Sequence, residues 1–143
     1  MRIEGKCHCG NISFALRWPG DGVEIPVRVC GCTFCIKHGG AWTSHRDAEL
    51  MAEIRDDTLV SKYRFGTSTA DFYVCDRCGA LPFVISAIDA RLYAVVNVNT
   101  FEGVNRSSLV QTTANFDGEG TGDRLERRKQ NWIRAVHISK SAA

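Results

Sequence analysis

The chain has 143 residues, 44% of them apolar, with 18 basic and 16 acidic side chains and a formal net charge of +2. A chain of this length folds as one domain, residues 1–143, with a modest core. So balanced a charge supplies no basic field for nucleic acid and no acidic tail, and apolar stretches such as Tyr93-Ala94-Val95-Val96 are too short to cross a bilayer.

In chain order, residues 11–18 place Ile12, Phe14, Leu16 and Trp18 at alternate positions, which predicts a half-buried strand. Pro19-Gly20-Asp21-Gly22 marks a turn. Residues 27–30 read as a second strand and 31–40 as an irregular loop. Residues 41–54 read as extended, because no strong cap precedes 49–54. Asp56 or Asp57 then caps a short helix running through Lys62. Residues 70–75 and 81–87 are strands flanking a cysteine turn. The clearest strand is 91–101, with Tyr93, Val95, Asn97 and Asn99 on one face and Ala94, Val96 and Val98 on the other. A further strand covers 109–116, Asp123 caps a helix over 124–131, and 132–139 returns to extended form. The expected fold is mainly β: short antiparallel sheets with one or two short helices.

Chemistry concentrates in the cysteines. The opening residues, Met1 to Cys7, lack the apolar region of a signal peptide, so a cytoplasmic, reducing location is expected. There, seven cysteines point to metal rather than disulfides, and an odd number cannot all pair within one chain. They form three clusters: Cys7-His8-Cys9-Gly10, Cys30-Gly31-Cys32-Thr33-Phe34-Cys35, and Cys75-Asp76-Arg77-Cys78-Gly79. If the first is extended, Cys7 and Cys9 share a face and His8 points the other way. Cys75 and Cys78 have the spacing of a tight turn, with Gly79 providing backbone freedom. Together these four thiolates close a tetrahedral zinc site with no position left open. Cys30, Cys32 and Cys35 remain, with Cys35 returning to the other two through the Thr33-Phe34 turn. Three thiolates leave a vacancy for water, a substrate or a fourth protein group, and His38 is the candidate to fill it. The competing partition joins Cys30 and Cys32 to Cys7 and Cys9. A redox role for Cys75 and Cys78 has less support, since no βαβ pattern surrounds them.

The order Gly5-x-Cys7-x-Cys9-Gly10, Cys30-x-Cys32-x-x-Cys35, Cys75-x-x-Cys78-Gly79 resembles the glutathione-dependent formaldehyde-activating enzyme family, which includes centromere protein V. The resemblance runs over nearly the whole chain. It implies a tent-like fold of small β-sheets, a structural zinc on Cys7, Cys9, Cys75 and Cys78, and a second zinc at the substrate site on Cys30, Cys32 and Cys35. Up to two zinc ions per chain are therefore expected. Where many members carry His and Ser in the central motif, this chain has Gly31 and Thr33. The implied partners are a small-molecule thiol, glutathione, and a small aldehyde such as formaldehyde. The implied reaction forms an S-hydroxyalkyl adduct, and its reverse is that of a carbon–sulfur lyase.

Other residues read less sharply. Arg28, Lys37 and Arg46 can offset thiolate charge and attract carboxylates, or can be plain surface charges. His45 reads as surface or as a partner to a ligand, and Phe34 as a cover for the second metal or as packing. Trp18, Trp42 and Trp132 read as core. Asn97 and Asn99 need amide partners on an apolar strand, best met by holding a neighbouring loop. Arg124, Arg127, Arg128 and Lys129 read as the solvated face of a helix, with Leu125 and Trp132 packing the other side. That basic helix is what favours the competing reading, a non-catalytic zinc-stabilised module that binds a protein or nucleic acid. No recognition motif accompanies it.

Overall fold

Ile12, Phe14 and Leu16 are buried while Ser13 and Ala15 are less so, and this alternation places their strand at the centre of a sheet. The structure is a computed structural model that describes residues 1–21 and 24–141; Gly22, the end of the expected turn, lies outside the described residues. In chain order the elements are β1 (Arg2–Lys6), β2 (Ile12–Arg17), β3 (Ile25–Cys30), α1 (Thr33–His38), β4 (Ala41–Thr43), β5 (Glu49–Ile54) and β6 (Val60–Tyr63). They continue with β7 (Asp71–Cys75), β8 (Phe83–Ile88), β9 (Arg91–Asn97), β10 (Phe101–Glu102), β11 (Leu109–Ala114), α2 (Thr121–Asn131) and β12 (Ala135–Lys140).

The strands form two sheets, ordered β10-β1-β2-β5-β12 and β11-β3-β4-β9-β8-β7-β6. As expected, the described residues are mainly β, with two α-helices. The pairing is antiparallel apart from two parallel edge pairs, β11 with β3 and β12 with β5. Those two pairs join strands distant in sequence, with register Val110↔Pro26 and Val136↔Leu50, so no hairpin could have made them antiparallel.

Ile3, Phe14, Leu16 and Leu50 from the first sheet meet Phe83, Ile85, Ala94 and Val96 from the second in one core. Phe14 sits opposite Gly5 in register, and a Cβ on Gly5 would run into its ring. The open space lets Phe14 pack edge-on against Phe83 and Phe101. The seven-stranded sheet is buried on its other face as well. Val84 from β8 and Tyr93 and Val95 from β9 join Trp42, Leu81, Cys32, Cys35 and Trp132 in a second core, against which Leu125 of α2 packs. All three tryptophans are core residues, as expected. The chain leaving α2 ties the two layers together. Ile133 exchanges both backbone hydrogen bonds with Ala94 of the second sheet, each 2.9 Å, before β12 pairs with β5 of the first.

Several local expectations change. The segment 31–40 is not irregular throughout: it holds α1, with Cys32 as N-cap and Gly39 as a left-handed C-cap at φ 77°. The helix after Asp56 is one 3-10 turn, Asp57–Leu59, capped by the Asp56 side chain, and the chain then goes straight into β6. The long strand breaks after Asn97 into a 3-10 turn, Val98–Thr100, because the Asn97 side chain accepts from Asn99 N at 3.1 Å. Helix α2 starts three residues early, with Gly120 as its N-cap and Asp123 inside its first turn. No described helix is long and apolar enough to cross a membrane.

Candidate metal centres

Strand β1 ends at Lys6, and Cys7-His8-Cys9-Gly10 turns sharply instead of continuing extended. Gly10 N donates to Cys7 O at 3.1 Å, and Gly10 takes φ +85°. The two cysteines therefore reach the same point through a turn, not through a shared strand face. His8 is exposed, as expected. The second turn follows β7. Gly79 N donates to Cys75 O at 2.7 Å and Cys75 N to Ala80 O at 2.9 Å, with Gly79 at φ +80°. That left-handed backbone is where glycine is needed.

The two turns bring the sulfurs of Cys7, Cys9, Cys75 and Cys78 within 4.8 Å of one another. The Cys9 and Cys75 sulfurs are 3.5 Å apart, and those of Cys7 and Cys9 3.7 Å. Cys7 and Cys75 are fully buried, and burial pushes both thiols up, Cys7 to about 12. Burial acts the same way on Cys78, but backbone N–H groups at Ala80 and Cys9 and the neighbouring thiols outweigh it, leaving Cys78 down at about 6. Four sulfurs this close, in a partly buried set containing no other donor type, fit a tetrahedral ion with a preference for thiolates.

The other three cysteines gather at the junction of β3 and α1. Cys30 ends β3, Cys32 caps α1, and Cys35 lies one turn inside it, so helical spacing and not a loop returns Cys35 to its partners. Their sulfurs also lie within 4.8 Å of one another. Among the described residues no His, Asp, Glu or further Cys completes this group. His38 is exposed and stacks on Phe34 at 5.5 Å, leaving the group at three sulfurs. The competing partition is not the one formed: Cys30 and Cys32 group with Cys35, apart from Cys7 and Cys9. Cys35 donates to Cys30, which holds Cys30 down to about 5, against its burial and with help from the Arg28 charge. The same hydrogen bond, with burial, drives Cys35 strongly upward. None of the seven cysteines is in a disulfide.

These three cysteines line a cavity of about 70 Å³ with Trp42, Phe72, Val84, Val95 and Trp132 on its apolar walls. Arg28, Arg124, Arg127 and Arg128 supply its charge. Here the expectation for α2 is overturned. Its arginines are not a solvated face: Arg124 and Arg127 side chains are 17% exposed and Arg128 is 5% exposed. Arg128 donates to Thr69 Oγ1 at 2.8 Å and Ser86 Oγ at 3.1 Å. Burial pulls Arg128 down to about 10, and the neighbouring Arg124 and Arg127 charges add to that. Nothing in the linear sequence marked these arginines as inward-facing, since their spacing equally suits an exposed face; the inward set was recoverable only as the side of the helix shared with Leu125 and Trp132.

The remaining candidates divide. Of the three basic residues named from sequence, Arg28 lines the cavity, while Lys37 and Arg46 are exposed. His45 packs edge-on against Trp18 and accepts from Asp47 N at 3.1 Å, contacts that involve no cysteine. Phe34 packs in an aromatic group with Tyr63, Phe65 and Phe72. Asn97 donates to Leu81 O at 3.0 Å, and Asn99 to Gly39 O at 3.3 Å, so both amides hold loops as expected.

Two comparisons bear on this arrangement. Over 76% of its length the chain superposes, with a TM-score of 0.54 and 26% sequence identity, on 99% of a Rhodobacter sphaeroides protein of known crystal structure. Residues 2–116 match the family model described as glutathione-dependent formaldehyde-activating enzyme, a span that contains all seven cysteines and both clusters. The chain belongs to the glutathione-dependent formaldehyde-activating enzyme family.

Proposed function

We propose that this chain is a single-domain, zinc-dependent enzyme that joins a thiol, glutathione, to a small aldehyde such as formaldehyde, and acts as a carbon–sulfur lyase in reverse. The observation that carries this reading is the group of three cysteine sulfurs, with no fourth side-chain ligand among the described residues, lining a cavity. A three-thiolate set fits zinc and leaves one position for an incoming ligand. Zinc, when bound, supplies the positive charge that keeps a thiol in its nucleophilic thiolate form.

The chain's own residues do the rest. Cys30, Cys32 and Cys35 hold the metal, and Arg28 offsets their negative charge. Trp42, Phe72, Val84 and Val95 exclude water, which strengthens every charge interaction inside. The thiolate sulfur adds to the aldehyde carbon, the carbonyl electron pair moves to oxygen, and that oxygen takes a proton. Cys7, Cys9, Cys75 and Cys78 hold a separate, structural zinc that clips β1 to β7. Family membership supports the substrates, though shared ancestry alone does not assign them. The competing binding-module reading rested on a solvated basic helix, and those arginines are turned inward.

Cobalt-substituted protein provides the test. Glutathione should shift the visible absorption of the second site, and Cys32→Ser should abolish the shift. Protein purified without chelators should carry between one and two zinc ions per chain. A spectrum indifferent to thiols at full metal loading would sink the proposal.

A further inference from the structure

The cavity beside the three cysteines holds more unpaired positive charge than thiol chemistry uses. Four donors in its lining are buried without a hydrogen-bond partner: Arg124 Nε, Arg127 Nη1, Arg128 Nε and Trp132 Nε1. A buried donor left unpaired is costly, and more so when charged, so native structures rarely collect several in one place. Two of the four belong to side chains that are at least nine-tenths buried, Arg128 and Trp132. The guanidinium groups are also held in position. Thr69 and Ser86 fix Arg128 through Nη1. Glu119 takes Arg127 through both carboxylate oxygens at 3.0–3.3 Å, and stands 3.5 Å from Arg124 Nε without hydrogen-bonding it. Arg28 and Arg127 lie over the Phe116 ring. Glu119 pairs with Arg124 and Arg127, and Asp117 is the carboxylate in the cavity lining.

Size narrows the ligand. About 70 Å³ is room for a handful of waters, enough for a carboxylate and small beside the several hundred Å³ of the pockets that hold larger ligands. A separate groove of about 740 Å³ shares Cys30 and Cys35 and runs past Ile36, Asn99 and Thr113, which is ample for a peptide thiol. Two spaces of different size and charge thus meet at the same sulfurs. Moreover, α2 lies beyond residues 2–116, outside the span that the family model matches.

We propose that the inner cavity is a carboxylate subsite and that the carbonyl substrate is a small oxo acid of two or three carbons. This rests on the thiol–carbonyl reading above and names its second substrate. The carboxylate accepts from Arg124, Arg127, Arg128 and Trp132, which presents the adjoining carbonyl carbon towards the cysteine cluster. A thiolate sulfur from the larger groove forms the new C–S bond. The carbonyl π pair moves to its oxygen, which takes a proton from water, and the product is a hemithioacetal that keeps its carboxylate.

Zinc-loaded full-length protein should be titrated at constant ionic strength with acetate as the unreactive probe, acetamide as its neutral counterpart, and glyoxylate. Acetate and glyoxylate should raise the melting temperature saturably, and acetamide should not. Arg124→Gln and Arg127→Gln should each weaken acetate binding at least tenfold, with the cobalt response to glutathione retained. Arg128→Lys keeps a buried charge and guards against simple unfolding; it should weaken acetate to a similar degree. With glutathione present, turnover should favour glyoxylate over formaldehyde at least tenfold in kcat/KM, and Arg127→Gln should erase that preference. The inference is overturned if acetate behaves like acetamide, or if its effect survives both glutamine variants. It is also overturned if esterifying glutathione's carboxylates abolishes binding while glyoxylate and formaldehyde react alike, since the subsite then serves the thiol. Intact acetate binding with no response to any thiol would instead sink the thiol chemistry and leave the subsite standing.

Discussion

Cys35 N donates to Cys32 Sγ at 3.3 Å, so a sulfur offered to the metal is also the N-cap of the helix that carries the next sulfur. Serine is among the strongest caps and alanine among the weakest, a difference of about 1 kcal/mol. Cys32→Ser should therefore stay folded, with a modestly lower melting temperature and the second metal lost. Cys32→Ala should lose the same metal and a further ~1 kcal/mol of stability. Thermal melts with metal counts on matched preparations separate the two effects. Equal stability of both variants would show that the cap contributes nothing.

The four-cysteine cluster joins two turns some seventy positions apart, at the ends of β1 and β7. Structural zinc contributes on the order of 10 kcal/mol of apparent binding free energy, comparable to the whole stability of a domain. Cys75→Ser and Cys9→Ser should both give unfolded or insoluble protein, whereas Cys32→Ser should not. Circular dichroism after identical purification is the check. If Cys32→Ser unfolds as completely as Cys75→Ser, the three-cysteine group is structural.

His38 stacks on Phe34 and does not join the cysteine group. Partial desolvation against the protein lowers its basicity. His38→Ala should therefore keep the second metal and its cobalt spectrum. Loss of that metal in His38→Ala would mean that the ring swings in to close the site.

Gly79 holds φ +80°, and a Cβ there would meet no atom within 4 Å. A substitution is penalised by backbone strain alone, with no clash. Gly79→Ala should cost about 1–2 kcal/mol, and Gly79→Asn less, because asparagine visits this conformation more readily. Denaturant melts of the zinc-loaded variants measure both. Equal losses for the two would point to a cause other than backbone strain.

What was legible in the sequence, and what was not, follows from the range of each interaction. The three local cysteine clusters could be read from spacing because each lies within one short segment, and the four-plus-three division was favoured over a competing partition that the fold then excluded. Gly10 and Gly79 mark those turns by the left-handed backbone they allow. The strands of Ile12–Arg17 and Arg91–Asn97 were equally plain, since alternate burial leaves a period of two in the residues themselves. Helix α1 was hidden because its cap is a cysteine, which no capping preference would suggest. The inward turn of Arg124, Arg127 and Arg128 was hidden for a different reason. Arginines at helical spacing carry no sign of which way they face; that depended on Thr69 and Ser86, brought from two distant segments, and on Glu119 and Trp132 at the two ends of the helix itself. By itself the sequence determined which cysteines act together within each short segment, because that spacing is local. Only the tertiary structure decided what surrounds them, because burial and charge pairing belong to residues far apart in the chain.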